Sequence, residues 1–242
     1  MTALSERLKE RFFGADEHPY RSFERKVDDF LRAGDTLLDA GCGRSAPVLT
    51  KYRAKARRLI GVDFVDFPSP IDGVELLNTD IASMPLPDAC VDVVMSRAVM
   101  EHVVDPRAVY LEIHRVLAPG GHFIFLTGNL WDYAALVATL VPNRLHPWIV
   151  ARTQGRAEID VFPTAYRTNT YAAVKKWSSG AGFELVSYDH LGQYPTYFMF
   201  NGFLFLIASG YEKLIRRFEA LRFLQGWILV VLRKPPAPGA AP

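Results

Sequence analysis

With 242 residues, half of them apolar and 22% charged, the chain is long enough to bury a sizeable core and too apolar to be a disordered segment. A formal charge of +2 gives no electrostatic case for a nucleic-acid partner. Its two cysteines, Cys42 and Cys90, stand at no metal-ligand spacing, which argues against a disulfide scaffold or a zinc site and suits a reducing cytoplasm.

The N-terminal stretch is charged and amphipathic and lacks the apolar core of a secretory signal. Helical spacing of apolar residues predicts helices from Leu4 to Phe13 and from Phe23 to Leu31. Thr36 to Ala40 reads as a first strand, followed by a glycine-rich turn and a helix from Ser45 to Arg53. The basic residues between Lys51 and Arg58 read as a solvated helix end. Further strands are expected at Arg58 to Asp63, Val74 to Asn78 and Val91 to Ser96. Asp105 as N-cap and Pro106 in the first turn open a helix that reaches Leu117. Pro119-Gly120-Gly121 stops that helix and leads into a fifth strand, His122 to Thr127. Strands alternating with helices imply a parallel sheet of βαβ units.

After Gly128 the character changes. Helical segments at Leu130 to Val141 and Pro147 to Arg152 precede a helix from Asn169 to Gly180, a sixth strand at Phe183 to His190, an apolar-aromatic helical stretch at Tyr197 to Leu221 and a last strand at Trp227 to Arg233. The Pro/Ala/Gly tail, 234–242, is expected to be disordered. No uncharged apolar run reaches the roughly 20 residues of a spanning helix. The nearest, Tyr197 to Tyr211, is too short and contains Asn201.

Asp39-Ala40-Gly41-Cys42-Gly43, at the end of the first strand, carries the strongest chemical signal. Its glycines let the backbone turn tightly and approach a ligand, with the N-terminus of the following helix aimed at it. Gly41-x-Gly43-x-x-Ala46 alone also fits a dinucleotide fingerprint. Asp39 tilts the reading, because a carboxylate there would repel a pyrophosphate and favour a ligand bearing an amino group and a sulfonium. Asp63, at the end of the second strand, can accept from both hydroxyls of a ribose. Asp80, just past the third strand, can accept from an adenine amine, with Ile81 or Met84 against the ring. Each Asp taken singly reads more simply as a cap or loop residue. Three carboxylates at successive strand ends point instead to the ligand-binding edge of an open α/β sheet.

Leu37-Leu38-Asp39-Ala40-Gly41-Cys42-Gly43, Gly61-Val62-Asp63, Asn78-Thr79-Asp80, Asp92-Val93-Val94-x-Ser96, Glu101-His102 and Leu117-x-Pro119-Gly120-Gly121 together resemble class I S-adenosylmethionine-dependent methyltransferases, in particular the subgroup of ubiquinone/menaquinone C-methyltransferases and small-molecule methyltransferases. The resemblance covers Asp35 to Leu126. It implies an α/β, Rossmann-like doubly wound sheet of seven strands in the order 3-2-1-4-5-7-6, strand seven antiparallel, here with helical insertions in the C-terminal half. It implies S-adenosylmethionine as cofactor, with Asp39, Gly41 and Gly43 at the methionine part, Asp63 at the ribose, Asp80 and Ile81 at the adenine, and Ser96 and Arg97 on the methyl-transfer side; Cys42 and Phe64 complete the expected cofactor-binding residues. The expected organisation is a single domain over 1–233, with N-terminal helices at 1–34, a cofactor-binding core at 35–128, and substrate-side helices with strand six at 129–222.

Displacement at a sulfonium releases a neutral leaving group, so orientation and exclusion of water carry most of the catalysis, and a base matters only for a protonated acceptor. His102, beside Glu101 and beyond strand four, is the best-placed base; the simpler reading is a loop histidine that caps or packs. Tyr166 and Arg167 are weaker candidates on the acceptor side, Arg167 for an acidic acceptor. Tyr133, His146 and Tyr171 read more simply as packing residues. No cluster of carboxylates near Ser96 to Asp105 suggests a metal.

The expected reaction is methyl transfer to a hydroxyl or carbon of a small acceptor, apolar or from a glycan or lipid pathway. A non-catalytic S-adenosylmethionine-binding protein is one alternative. A nicotinamide oxidoreductase is another, prompted by Tyr171-x-x-x-Lys175. Cytoplasmic localisation is expected. The 197–217 segment reads first as a cover for the sheet, and contact with a membrane through it stays open. Oligomeric state is not legible.

Overall fold

The computed structural model describes residues 2–13, 18–133 and 162–237. Expected helical segments over 134–141 and 147–152, and His146, lie outside the described residues. Seven strands, β1 (Thr36–Ala40), β2 (Arg58–Asp63), β3 (Glu75–Asn78), β4 (Val91–Arg97), β5 (Leu117–Gly128), β6 (Glu184–Leu191) and β7 (Trp227–Arg233), form one sheet in the order β3-β2-β1-β4-β5-β7-β6. Helices α1 (Ala3–Phe12), α2 (Pro19–Phe30), α3 (Pro106–Val116), α4 (Tyr171–Gly180) and α5 (Gly202–Arg217) accompany it. The chain divides into two compact units. One takes in described residues of 1–22, 128–164 and 190–228, the other those of 23–127, 165–189 and 229–242.

In the second unit, β1 pairs in parallel with β2 and β4, β2 with β3, and β4 with β5. All five residues of β1 and the run Val93 to Ser96 of β4 are buried, as befits parallel strands covered on both faces. Asp92 anchors the start of β1 by accepting from the Thr36 amide at 2.8 Å. β7 runs against β5. Gly120 N–H donates to the Lys234 carbonyl and Lys234 N–H to that of Gly121, whereas at the other end Asn129 N–H donates to Gly226. The rings of Tyr110, Phe123, Phe125 and Phe183 meet mostly edge-on or tilted, with centroids 5.0–6.5 Å apart, and fill the space between α3 and the sheet. α3 begins as its sequence suggests: Asp105 accepts from the Ala108 amide and Pro106 occupies the first turn.

Three local expectations are corrected. The segment after the glycine turn is not a helix from Ser45 to Arg53 but a series of turns with one short 3-10 helix, Leu49–Tyr52. Pro47 disfavours the helical region for the residue before it, and Ala46 takes φ +42°. No α-helix N-terminus follows the glycines. Pro119-Gly120-Gly121 lies inside β5: the register runs from Val91–Leu117 to Val93–His122, so the motif is an excursion of the strand that pairs with the chain at Lys234. Lys234 itself is held rather than free, its ammonium donating to the His114 and Leu117 carbonyls at 2.7 Å, at the C-terminal end of α3.

The first unit is built on α1 and α5. Thr2 caps α1 reciprocally with Ser5, whose hydroxyl also donates to the Met199 carbonyl at 2.6 Å. Gly202 at the start of α5 admits Leu4, since a Cβ there would fall 2.6 Å from the leucine side chain. Phe13, Met199 and Phe205 are buried together, with Leu8, Phe12, Tyr194 and Phe198 against them. The expected helix over Tyr197 to Leu221 is instead a 3-10 turn (Thr196–Phe198), α5, and a second 3-10 stretch (Glu219–Leu224).

A Cβ on Gly121 would lie 2.8 Å from the Asp92 carbonyl and 2.9 Å from that of Ala118, both backbone atoms. Gly121→Ala is therefore expected to destabilise the protein by about 1–3 kcal/mol, read as a lower urea midpoint. An unchanged midpoint would mean that the excursion in β5 has room to spare.

Candidate functional site

The C-terminal ends of β1, β2 and β4 gather most of the residues singled out above. β1 ends in Asp39 and Ala40, where Asp39 is level with Gly61 of β2 and Met95 of β4. The chain then folds back over β2: the amides of Gly41 and Cys42 both donate to the Val62 carbonyl, at 2.8 and 3.2 Å. Gly43 N–H donates to Asp63 Oδ2 at 2.8 Å, and Asp63 Oδ1 accepts from Val65 N–H at 3.2 Å. Both glycines adopt the left-handed region, φ +87° at Gly41 and +71° at Gly43. Their surroundings differ. A Cβ on Gly41 would collide with the Val99 side chain, whereas one on Gly43 would meet nothing within 4 Å.

Asp39 is 3% exposed, and among the described residues no donor reaches its carboxylate. Burial pushes its pKa up to about 7; Arg97 pulls it back and Asp63 adds to the rise. Arg97 in turn stands 3.6 Å from Glu24 of α2. Cys42 is buried too, its thiol pushed up by burial and by the Asp39 and Asp63 charges, and it packs over Gly61. It is a packing residue of the turn rather than an exposed nucleophile.

Asp80 is tied to the same edge because Thr79 N–H donates to the Asp63 carbonyl. Its carboxylate accepts from Ala82 N–H at 2.8 Å and is exposed, with Ile81 half-buried beside it and Met84 buried. Phe64, next to Asp63, is 67% exposed. Ser96 departs from its expected place on the methyl-transfer side. It is fully buried, and its hydroxyl donates to the Ala40 carbonyl at 2.8 Å, joining β4 to β1.

The candidates for the acceptor side, distant in sequence, meet beyond β4. His102 ends a short 3-10 turn (Met100–His102) and is half-buried. The Glu101 carbonyl accepts from the amides of Ala165 and Tyr166, at 2.7 and 3.0 Å, and Tyr166 takes φ +50°. Arg167 is exposed and donates one N–H to the Val104 carbonyl at 2.6 Å, so part of its guanidinium serves the loop. The Glu101 side chain turns inward. Its Oε2 accepts from Thr127 at 2.6 Å, and the Thr127 oxygen accepts from Asn169 Nδ2 at 2.9 Å. Thr168 donates to the Met100 carbonyl at 2.8 Å. This buried network, together with Val99 against Gly41 and Glu24 beside Arg97, went unseen in the sequence. Glu101 beside His102 was its only visible trace.

Tyr171 and Lys175 are both exposed on α4, with the Tyr171 ring edge-on to Tyr188 at 5.2 Å. Tyr133 stacks on Phe198. Among the described residues no group of three His, Cys, Asp or Glu side chains is placed to hold a metal ion.

Residues 38–125 match the family model of a methyltransferase domain. A probable S-adenosylmethionine-dependent methyltransferase of Mycolicibacterium smegmatis is 38% identical over 104 residues, covering 40% of this chain and 39% of that protein. The 27-O-demethylrifamycin SV methyltransferase of Amycolatopsis mediterranei is 32% identical over 102 residues, 38% of each chain. The chain thus spans about two fifths of the length of the curated relatives it matches. Geranyl diphosphate C-methyltransferase of Streptomyces coelicolor A3(2) shares the fold, with a TM-score of 0.55 at 16% identity over 89% of this chain and 79% of that one. The strand order, the antiparallel β7 and the glycine turn between carboxylates thus accompany a methyltransferase-domain match over residues 38–125, the part of the chain that is similar to S-adenosylmethionine-dependent methyltransferases.

Proposed function

We propose that this chain transfers the methyl group of S-adenosylmethionine to a hydroxyl or carbon of a small apolar acceptor. The observation that carries the reading is the buried Asp39 carboxylate, without a described donor, beside a glycine whose missing side chain leaves open space. A buried carboxylate needs a partner. A ligand with an amino group and a sulfonium provides one, whereas a pyrophosphate does not. The related rifamycin and geranyl diphosphate methyltransferases support a small-molecule acceptor.

S-adenosylmethionine, when bound, supplies a methyl group on a positively charged sulfur, so that its transfer leaves a neutral thioether. Asp39 and the Gly41–Gly43 turn would hold the methionine part. Asp63 would accept from the ribose hydroxyls on lone pairs left over from its two backbone bonds. Asp80 and Ile81 would meet the adenine, with Phe64 offering an exposed ring beside them. Arg97 would set the charge on Asp39. His102 would take the proton of a hydroxyl or acidic carbon as the acceptor's lone pair bonds to the methyl carbon. Tyr166, its backbone pinned to Glu101, and the remaining donors of Arg167 would border the acceptor.

Calorimetric titration of the whole chain tests the cofactor. S-adenosylmethionine and S-adenosylhomocysteine are expected to bind, NADH is not, and Asp63→Ala is expected to weaken both sulfur ligands by about tenfold or more. Binding of NADH alone would overturn the reading and turn attention to Tyr171 and Lys175.

The second expectation concerns pH. A raised carboxylate pKa means that the native protein holds the Asp39 proton more tightly than the unfolded chain does, so burying the ionised form costs stability increasingly between about pH 4 and about pH 7. A cationic ligand favours the ionised form and must expel that proton below pH 7. Affinity for S-adenosylmethionine is therefore expected to fall about tenfold from pH 8 to pH 6. Asp39→Asn should bind weakly at both values. A flat profile in the native protein would remove Asp39 from the ligand's charge.

A further inference from the structure

Most residues of α5 fall on one of two faces. Gly202, Phe205, Ala208, Ser209, Glu212 and Ile215 face inward and are buried. The outward positions, at spacings of three and four, carry Phe203, Leu206, Ile207 and Leu214, which are 68, 45, 58 and 51% exposed. Phe200 before the helix and Phe218 after it are half exposed as well. A surface helix normally turns its polar face to water; this one turns its apolar side chains there. So many neighbouring exposed apolar residues mark an interaction surface rather than the scattered leucines of an ordinary exterior.

Charge selects the occupant. Lys213 and Arg217 stand exposed in the last two turns of the same helix, and Arg222 is exposed in the stretch that follows. The sole carboxylate of α5, Glu212, is buried on the inner face, and the stretch that follows sets one exposed acid, Glu219, against the three cations. A second copy docked on this face would bring cations to cations in excess over the acids able to pair them. Anionic headgroups would pair them, and an acyl boundary would take the rings. At 16 residues α5 cannot span a bilayer, and no helix among the described residues is long and apolar enough to do so.

We propose that α5 binds in the plane of an anionic lipid surface, with Phe203, Leu206, Ile207 and Leu214 in the acyl boundary and Lys213, Arg217 and Arg222 at the headgroup phosphates. This surface is independent of the methyl-transfer reading, and either can fail alone.

Flotation of the full chain with phosphatidylcholine vesicles, and with vesicles in which about three lipids in ten are phosphatidylglycerol, is the test. Binding to the anionic vesicles is expected to be about tenfold or more tighter than to the neutral ones and to weaken with added salt. The double variant Phe203→Glu, Ile207→Glu is expected to stay with the soluble fraction, its far-ultraviolet circular dichroism and thermal midpoint serving as the control for folding. A second variant, Lys213→Gln with Arg217→Gln, leaves the apolar face intact and should lose the preference for anionic vesicles; it decides the question if the first fails to fold. Absence of flotation with either vesicle, or equal flotation of all three proteins, overturns the proposal. So does a lipid-free dimer in sedimentation that the Phe203/Ile207 variant abolishes while vesicles are ignored, because the face would then belong to a second copy.

Discussion

Two backbone amides from the loop after β1 converge on one carbonyl, that of Val62, and a third reaches the Asp63 side chain. Each is worth only about 0.5–1.5 kcal/mol net, yet together they decide which way the chain leaves the sheet. Leaving by this route puts Asp39 beneath the loop and Asp63 at its rim. It also demands a left-handed backbone at Gly41 and Gly43 and no side chain at Gly61, over which Cys42 and Leu49 pack. The end of β4 is drawn into the same arrangement. Ala98, at φ +58° with its amide on the Leu126 carbonyl, sends Val99 against the bare Cα of Gly41. A side chain on Gly41 would collide with Val99, just past the end of β4.

The loop's electrostatics follow from that geometry. Burying a carboxylate without a hydrogen-bond donor is unfavourable, and the high pKa of Asp39 records the cost. Arg97 offsets it in part, but Arg97 is itself held by Glu24, so the positive charge is shared. Burial thus holds the Asp39 carboxyl above the usual carboxylate range, with Arg97 pulling it back. A site prepared in this way gains most from a ligand that brings its own cation. An ion pair already closed at Asp39 would have to be broken before binding.

Much of the architecture was legible in the sequence, for local reasons. The strands are short apolar runs bounded by turn residues, and Asp105-Pro106 opens α3 through side-chain and ring constraints that act within one turn. The glycine turn and the carboxylates at the strand ends were visible for the same reason. The failures are instructive. The helix expected after the glycines does not form, and Pro47 is the local reason against it. Pro119-Gly120-Gly121 signals a stop, and nothing local reveals that the stop is an excursion paired with Lys234, 113 or more residues further on. Ser96 lies within β4 rather than after it, and alternation turns its hydroxyl inward onto the Ala40 carbonyl.

The acceptor side was the least legible, and the chemistry explains why. A cofactor with fixed groups at fixed spacings demands carboxylates and glycines at set places, and these fall within one stretch from β1 to β3. The proposed transfer, releasing a neutral thioether, would make no comparable demand on the other side of the methyl group, where shape and dryness would suffice. His102 and Tyr166 are accordingly held by a loop-to-loop contact between Glu101 and the chain around Ala165, and by the buried Glu101–Thr127–Asn169 network. Those partners are 42 and 26 residues apart in the chain and carry no periodicity, so only the folded structure brings them together. Buried polar groups of this kind are satisfied only in one arrangement, which makes the network a means of fixing loop geometry as much as a source of stability.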